Sequence, residues 1–108
     1  MLYLMKDSRG SKLLVKVGVT KNLQKRMDTY RTHNPLAKCI EMASVATGED
    51  KLAEAAIHDY YESIGYTQIK NTEWYEVPKG LKKNKDYTFE NFLDKYPEHN
   101  FVMEVMKM

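Results

Sequence analysis

The sequence is poor in what staples, ligates or spans: one cysteine, one tryptophan, three prolines and three histidines among 108 residues. With Cys39 alone, no disulfide closes within the chain, and without clustered Cys and His there is no ligand set for a structural zinc ion. Cys39 reads most simply as a small buried residue on a strand. No apolar run approaches the roughly 20 residues that cross a bilayer, and Met1-Leu2-Tyr3-Leu4-Met5 is too short for the core of a signal peptide. The expectation is a soluble, cytoplasmic protein that engages no membrane. Internal repeats and low-complexity tracts are absent too. The length suits a single core, so any function shares one small surface.

What is present is charge, unevenly spread. The net +2 hides nine Lys/Arg against two Asp/Glu in residues 1–38, two against eight in 39–78, and six against five in 79–108. A basic first third suits a polyanionic partner, because phosphate neutralisation and counterion release dominate nucleic-acid affinity, whereas an acidic middle suits a cation. The plainer reading is a mixed, solvated surface.

Periodicity supplies the elements. Leu2 to Lys6 and Leu13 to Val19 are strand-like, and Asp7-Ser8-Arg9-Gly10-Ser11 is turn chemistry, which predicts an antiparallel hairpin. Thr20 or Asn22 caps a helix carrying Leu23, Met27 and Tyr30, and His33-Asn34-Pro35 ends it. Ala37 to Ala46 reads as a third strand. Thr47-Gly48-Glu49-Asp50 looks like a capping box before a second helix with Leu52, Ala53, Ala56, Ile57, Tyr60 and Ile64 on one face, stopped at Gly65. Thr67 to Lys70 and Glu73 to Val77 are short extended segments. Asp86 to Tyr96 is a helix with Phe89, Phe92 and Leu93 inward, and Phe101 to Met106 alternates weakly as a possible last strand. The expected fold is α+β: a small, mainly antiparallel three-stranded sheet flanked by helices in residues 1–78, with 79–108 packed on the same domain as an extension of one helix and a possible strand.

Helical geometry sorts the polar residues. At about 100° per residue, Arg26 falls beside Tyr30 on the rim of the Leu23/Met27 stripe, and Glu54 with His58 one turn on falls on the rim of the second helix. Singly, each has a plain reading: Tyr3 and Tyr30 as half-buried aromatics, Lys16 and Arg26 as surface cations, Glu54 and His58 as an i,i+4 pair. Trp74 reads as a core anchor, the methionines as core filler, and His33 and His99 carry no specific signal.

Taken in order, Tyr3, Lys16-Val17-Gly18-Val19-Thr20, Arg26, Glu54-x-x-x-His58 and Glu73-Trp74-Tyr75 form a pattern that resembles the GIY-YIG endonuclease superfamily, in its small phage and microbial branch often labelled simply a DNA-binding domain. The resemblance runs through Val77. It implies that Tyr3 is the first motif's tyrosine, Gly18 the second motif's glycine, Arg26 the helical arginine and Glu54 the metal-binding glutamate. Tyr30 falls where relatives place a His or Tyr near the scissile phosphate, and Asn71 is the candidate for the late asparagine. Neither signature is literal: the first reads Met1-Leu2-Tyr3, and the second has Lys16 in place of tyrosine, a replacement familiar in that branch.

The chemistry suits phosphodiester hydrolysis, which needs a base, positive charge where phosphorane charge develops, and support for the leaving oxygen. Tyr3 is the candidate base, with Lys16 the cation that would favour its phenolate; Arg26 offers a planar fork for phosphate oxygens. Glu54 would hold one hard ion, Mg²⁺ or Mn²⁺, with His58 supporting it. Lys12, Lys21, Lys25 and Arg31 are the expected DNA contacts. The leading expectation is a metal-dependent DNA endonuclease, phage- or mobile-element-related, acting as monomer or homodimer. A non-catalytic DNA-binding module on the same fold and a phage interaction or inhibitor protein are the alternatives.

Overall fold

The structure is a computed structural model that describes residues 1–96 and 101–108. His99 and its neighbours lie outside the described residues. Strands β1 (Leu2–Arg9) and β2 (Lys12–Val19) form the expected hairpin, closed by a two-residue turn in which Gly10 takes φ 60°, a value that favours glycine. Pairing runs unbroken from Leu2–Val19 to Arg9–Lys12. The expected turn from Asp7 is therefore too long, because Asp7 is a strand residue. It is fully buried, and its Oδ2 accepts from Arg9 Nε and from Asn34 Nδ2, each at 2.7 Å. Those two donors satisfy one oxygen of the buried carboxyl, while Oδ1 is buried without a hydrogen-bond partner.

Helix α1 (Leu23–His33) begins at Asn22, whose side chain accepts from the Lys25 amide at 3.0 Å, and ends at Asn34. The Asn34–Asp7 bond fastens that end to β1. Strand β3 (Lys38–Val45) pairs with β1, with a bulge between Leu4 and Met5. Helix α2 (Asp50–Ser63) does not use the expected capping box. Glu49 is its N-cap and makes no side-chain cap bond, Gly48 turns the chain at φ 73°, and Asp50 instead takes the terminal ammonium of Met1. Leu52 also departs from expectation at 61% exposed, while Ala53, Ile57, Tyr60 and Tyr61 face inward. The rest of the expected stripe holds, with Ala56 and Ile64 packed against the core, and Tyr61 joins it in place of Leu52.

The sheet is larger than the three strands expected. Strands β4 (Thr67–Gln68) and β5 (Trp74–Val77) join beside β2, and β6 (Met103–Lys107) pairs with β3, giving an antiparallel order β4-β5-β2-β1-β3-β6. These strands were missed as sheet members because two to five residues carry too little alternation to fix a partner. Helix α3 (Phe89–Lys95), capped by Thr88, sends Phe89 and Phe92 into the main core. Among the described residues, no helix is long and apolar enough to cross a membrane.

Strand alternation divides the core. Leu2, Leu4, Val15 and Val17 face one side, where Ala53, Ile57, Tyr60, Tyr61, Phe89 and Phe92 cover them. Tyr3 and Met5 face the other, under Met27 and Ala37, with Leu23, Tyr30, Cys39 and Trp74 partly buried around them. Tyr3, Tyr30 and Lys16 lie on this second side, whereas Glu54 and His58 belong to α2, which covers the first.

Candidate active site

Cross-strand register explains the glycine at position 18. Tyr3 stands directly opposite Gly18, and a Cβ built on Gly18 would come within 2.3 Å of the Tyr3 hydroxyl. Only a residue without a side chain lets the Tyr3 ring lie across β2. The ring is 2% exposed, and its Oη meets Tyr30 Oη at 3.4 Å. Lys16, two residues before Gly18 and on the same strand face, donates to the Tyr30 hydroxyl and holds its Nζ 5.1 Å from the centre of that ring. Lysine, tyrosine and tyrosine thus form a chain, Lys16–Tyr30–Tyr3. The ammonium is bonded to Tyr30 rather than to Tyr3, as the sequence had suggested.

Burial is the main cause that pushes the Tyr3 hydroxyl well above the ordinary tyrosine range. The Tyr30 contact adds to it, and Arg26 acts in the opposite sense. A phenolate on Tyr3 is therefore disfavoured by its own setting. Arg26 is solvent-exposed and makes no ion pair among the described residues. It lines a cleft of about 390 Å³ with Thr20, Lys21, Asn22, Lys25 and Thr29. The expected DNA contacts separate on this basis. Lys21 and Lys25 share the Arg26 cleft, Arg31 sits in the last turn of α1 at 3.7 Å from Asp28, and Lys12 lies at the hairpin end of β2 at 3.9 Å from Glu76.

A sheet edge brings α2 to this cluster. The β2–β5 register ends with Lys16 opposite Trp74, so β2 beyond Lys16 has no strand on that side among the described residues. His58 fills part of the gap: its Nε2 lies 3.3 Å from the Val17 carbonyl, and its ring is 5.5 Å from that of Tyr75. Its hydrogen-bond contact is with the strand backbone, and it also acts electrostatically on Glu54. Glu54, one turn earlier on α2, is partly buried, and its carboxyl is pushed up first by burial and next by Glu73, while His58, Lys16 and Lys51 pull it down. Lys16 therefore acts electrostatically on Glu54 as well as bonding Tyr30.

Glu73 was not assigned a role from sequence, yet its charge acts on both Tyr3 and Glu54. It precedes β5, and the pairing of Trp74 with Lys16 carries it to the site; no local signal predicts that pairing. Asn71 has φ 63°, is exposed, and belongs to the turn between β4 and β5. Asparagine tolerates that left-handed conformation, which accounts for it as a turn residue.

Among the described residues, no three His, Cys, Asp or Glu side chains converge as a metal cage. Glu54 is a partly desolvated carboxylate that feels the charge of a second one, Glu73.

The T5orf172 domain family matches residues 1–90, past Val77 and into α3. No curated protein and no solved structure matches the chain. The matched span contains Tyr3, Lys16, Gly18, Arg26, Tyr30, Glu54 and Glu73, and with it every residue of the cluster described above. The chain belongs to the T5orf172 domain family, a phage-associated group of nuclease-like, DNA-binding character.

Proposed function

We propose that the protein is a metal-dependent DNA endonuclease of the GIY-YIG type, hydrolysing phosphodiester bonds. The observation that carries this reading is the Lys16–Tyr30–Tyr3 hydrogen-bonded chain with the charges of Arg26, Glu54 and Glu73 acting on its members. Tyr30, partly exposed and accepting a hydrogen bond from Lys16, is better placed than buried Tyr3 to act, in its phenolate form, as the base that takes a proton from an attacking water. Tyr3 orients Tyr30. Arg26 supplies the donor fork for non-bridging phosphate oxygens, and Lys21 and Lys25 hold flanking phosphates. Glu54 would hold Mg²⁺ or Mn²⁺, which supplies Lewis-acid stabilisation of developing charge when bound. His58 fixes α2 against β2 and so sets the position of Glu54.

The test is a cleavage assay on linear and nicked-circle DNA with Mg²⁺ or Mn²⁺, run beside a binding assay in EDTA. Metal-dependent cutting supports the proposal. Binding without cutting favours the non-catalytic DNA-binding module, to which the replacement of tyrosine by Lys16 and the burial of Tyr3 lend weight. Neither binding nor cutting leaves the interaction or inhibitor reading.

A further inference from the structure

Tyr30 has a second face. On the side of α1 toward β3, a cleft of about 540 Å³ opens between helix and sheet. Met5, Met27 and Cys39 are among the residues that line it, with Tyr30 as one wall and Arg31 and Lys38 at the polar rim. Both rim cations are solvent-exposed, and Arg31 is only loosely held by Asp28 at 3.7 Å. The same Tyr30 hydroxyl touches Tyr3 and Lys16, so this cleft and the hydrolytic cluster share a wall.

We propose that this cleft receives one unpaired nucleobase of the DNA, swung out of the stack next to the phosphate that is cut. The inference rests on the nuclease reading and names its substrate class: DNA carrying an unpaired or bulged nucleotide. Three features support it. The volume lies within the range of small-molecule sites, and its polarizable methionines with the one aromatic ring of Tyr30 suit the flat faces of a base. The rim cations complement the phosphates that flank an extruded nucleotide. The shared Tyr30 puts the sugar–phosphate link of that nucleotide beside Lys16 and Tyr3. A fully stacked base pair offers no base to this cleft, and extrusion is least costly where pairing is already lost.

Cys39 makes the test direct, because it is the only cysteine in the chain and lines the cleft. The intact protein, in EDTA so that nothing is cut, is alkylated with a maleimide alone, with a fully paired duplex, and with the same duplex carrying one bulged 2-aminopurine. Expected are at least about fivefold slower alkylation with the bulged duplex than with the paired one, a change in 2-aminopurine emission on binding, and about tenfold tighter binding of the bulged duplex. Cys39→Phe, which fills the cleft from a partly buried strand position, should abolish the preference for the bulge while leaving paired-duplex binding unchanged. Lys38→Ala, exposed and safe for folding, should reduce the preference severalfold. Equal protection of Cys39 by both duplexes, or a bulge preference that survives Cys39→Phe, overturns the inference while the nuclease reading stands if paired DNA is still cut with metal. Failure to bind either duplex overturns both.

Discussion

Replacing Gly18 by alanine tests the packing on which the whole cluster depends. The added Cβ would lie 2.3 Å from Tyr3 Oη, 2.4 Å from Cζ and 2.9 Å from Cε1, all inside any real carbon contact. Gly18 does not have a positive φ, so alanine meets no backbone strain and the penalty is steric alone. Nor can the ring swing freely, since it is 2% exposed and packed with Met5, Met27 and Ala37. Overpacking of this kind costs about 1–3 kcal/mol. For a small domain that lowers Tm by about 4–8 °C per kcal/mol, measurable by urea or thermal unfolding followed by circular dichroism. The decisive measurement is the double-mutant cycle. In the Tyr3→Leu background the clash is gone, and Gly18→Ala should become neutral or slightly stabilising because alanine loses less backbone entropy than glycine. A Gly18→Ala cost below about 0.5 kcal/mol, or the same cost in both backgrounds, refutes the argument that Gly18 exists to admit Tyr3.

Other outcomes follow from the same geometry. Glu54→Gln keeps size and removes the charge, so DNA binding in EDTA and the unfolding midpoint should change little while metal-dependent cleavage falls by about two or more orders of magnitude, read by single-turnover rates; undiminished cleavage would make Glu54 structural. Lys16→Met removes the donor to Tyr30 and should lower kcat far more than DNA affinity, with wild-type turnover contradicting the role given to the chain. Replacing Lys21 and Lys25 by alanine should reduce the slope of log affinity against log salt by about two, measured by fluorescence anisotropy; an unchanged slope removes their cleft from the DNA path. Glu41 is buried with Oε1 accepting from the Phe89 amide at 2.8 Å, and burial raises its carboxyl above the ordinary 4.5. The folded state therefore holds that proton more tightly than the unfolded chain, and stability rises as pH falls through the raised value toward 4.5. Wild type should gain stability relative to Glu41→Gln between pH 8 and pH 5 in urea titrations, and a difference independent of pH would contradict this sign.

The hairpin, the two long helices and the terminal helix were legible in the sequence because each is local: alternating valines, Asn22 before Leu23 and Met27, and Gly10 and Gly65 at positive φ. The capping box was legible and misleading, since Asp50 found a stronger partner in the terminal ammonium than in a cap geometry. The order of Tyr3, Lys16, Gly18, Arg26, Tyr30 and Glu54 was also available from the chain alone. Their contacts were not. Which tyrosine takes the Lys16 proton donor depends on where α1 lies over the hairpin, and that is set by Met27 packing and by the Asn34–Asp7 bond. Glu73 reaches the site only because β5 pairs with β2 in a register ending at Lys16–Trp74, a choice made by Tyr75 and Val77 entering the core. Sequence by itself determined the elements and the kinds of charge available, since propensity and periodicity act within a few residues. Tertiary structure decided which of those charges meet, because strand register and helix placement are fixed by burial summed over the whole core.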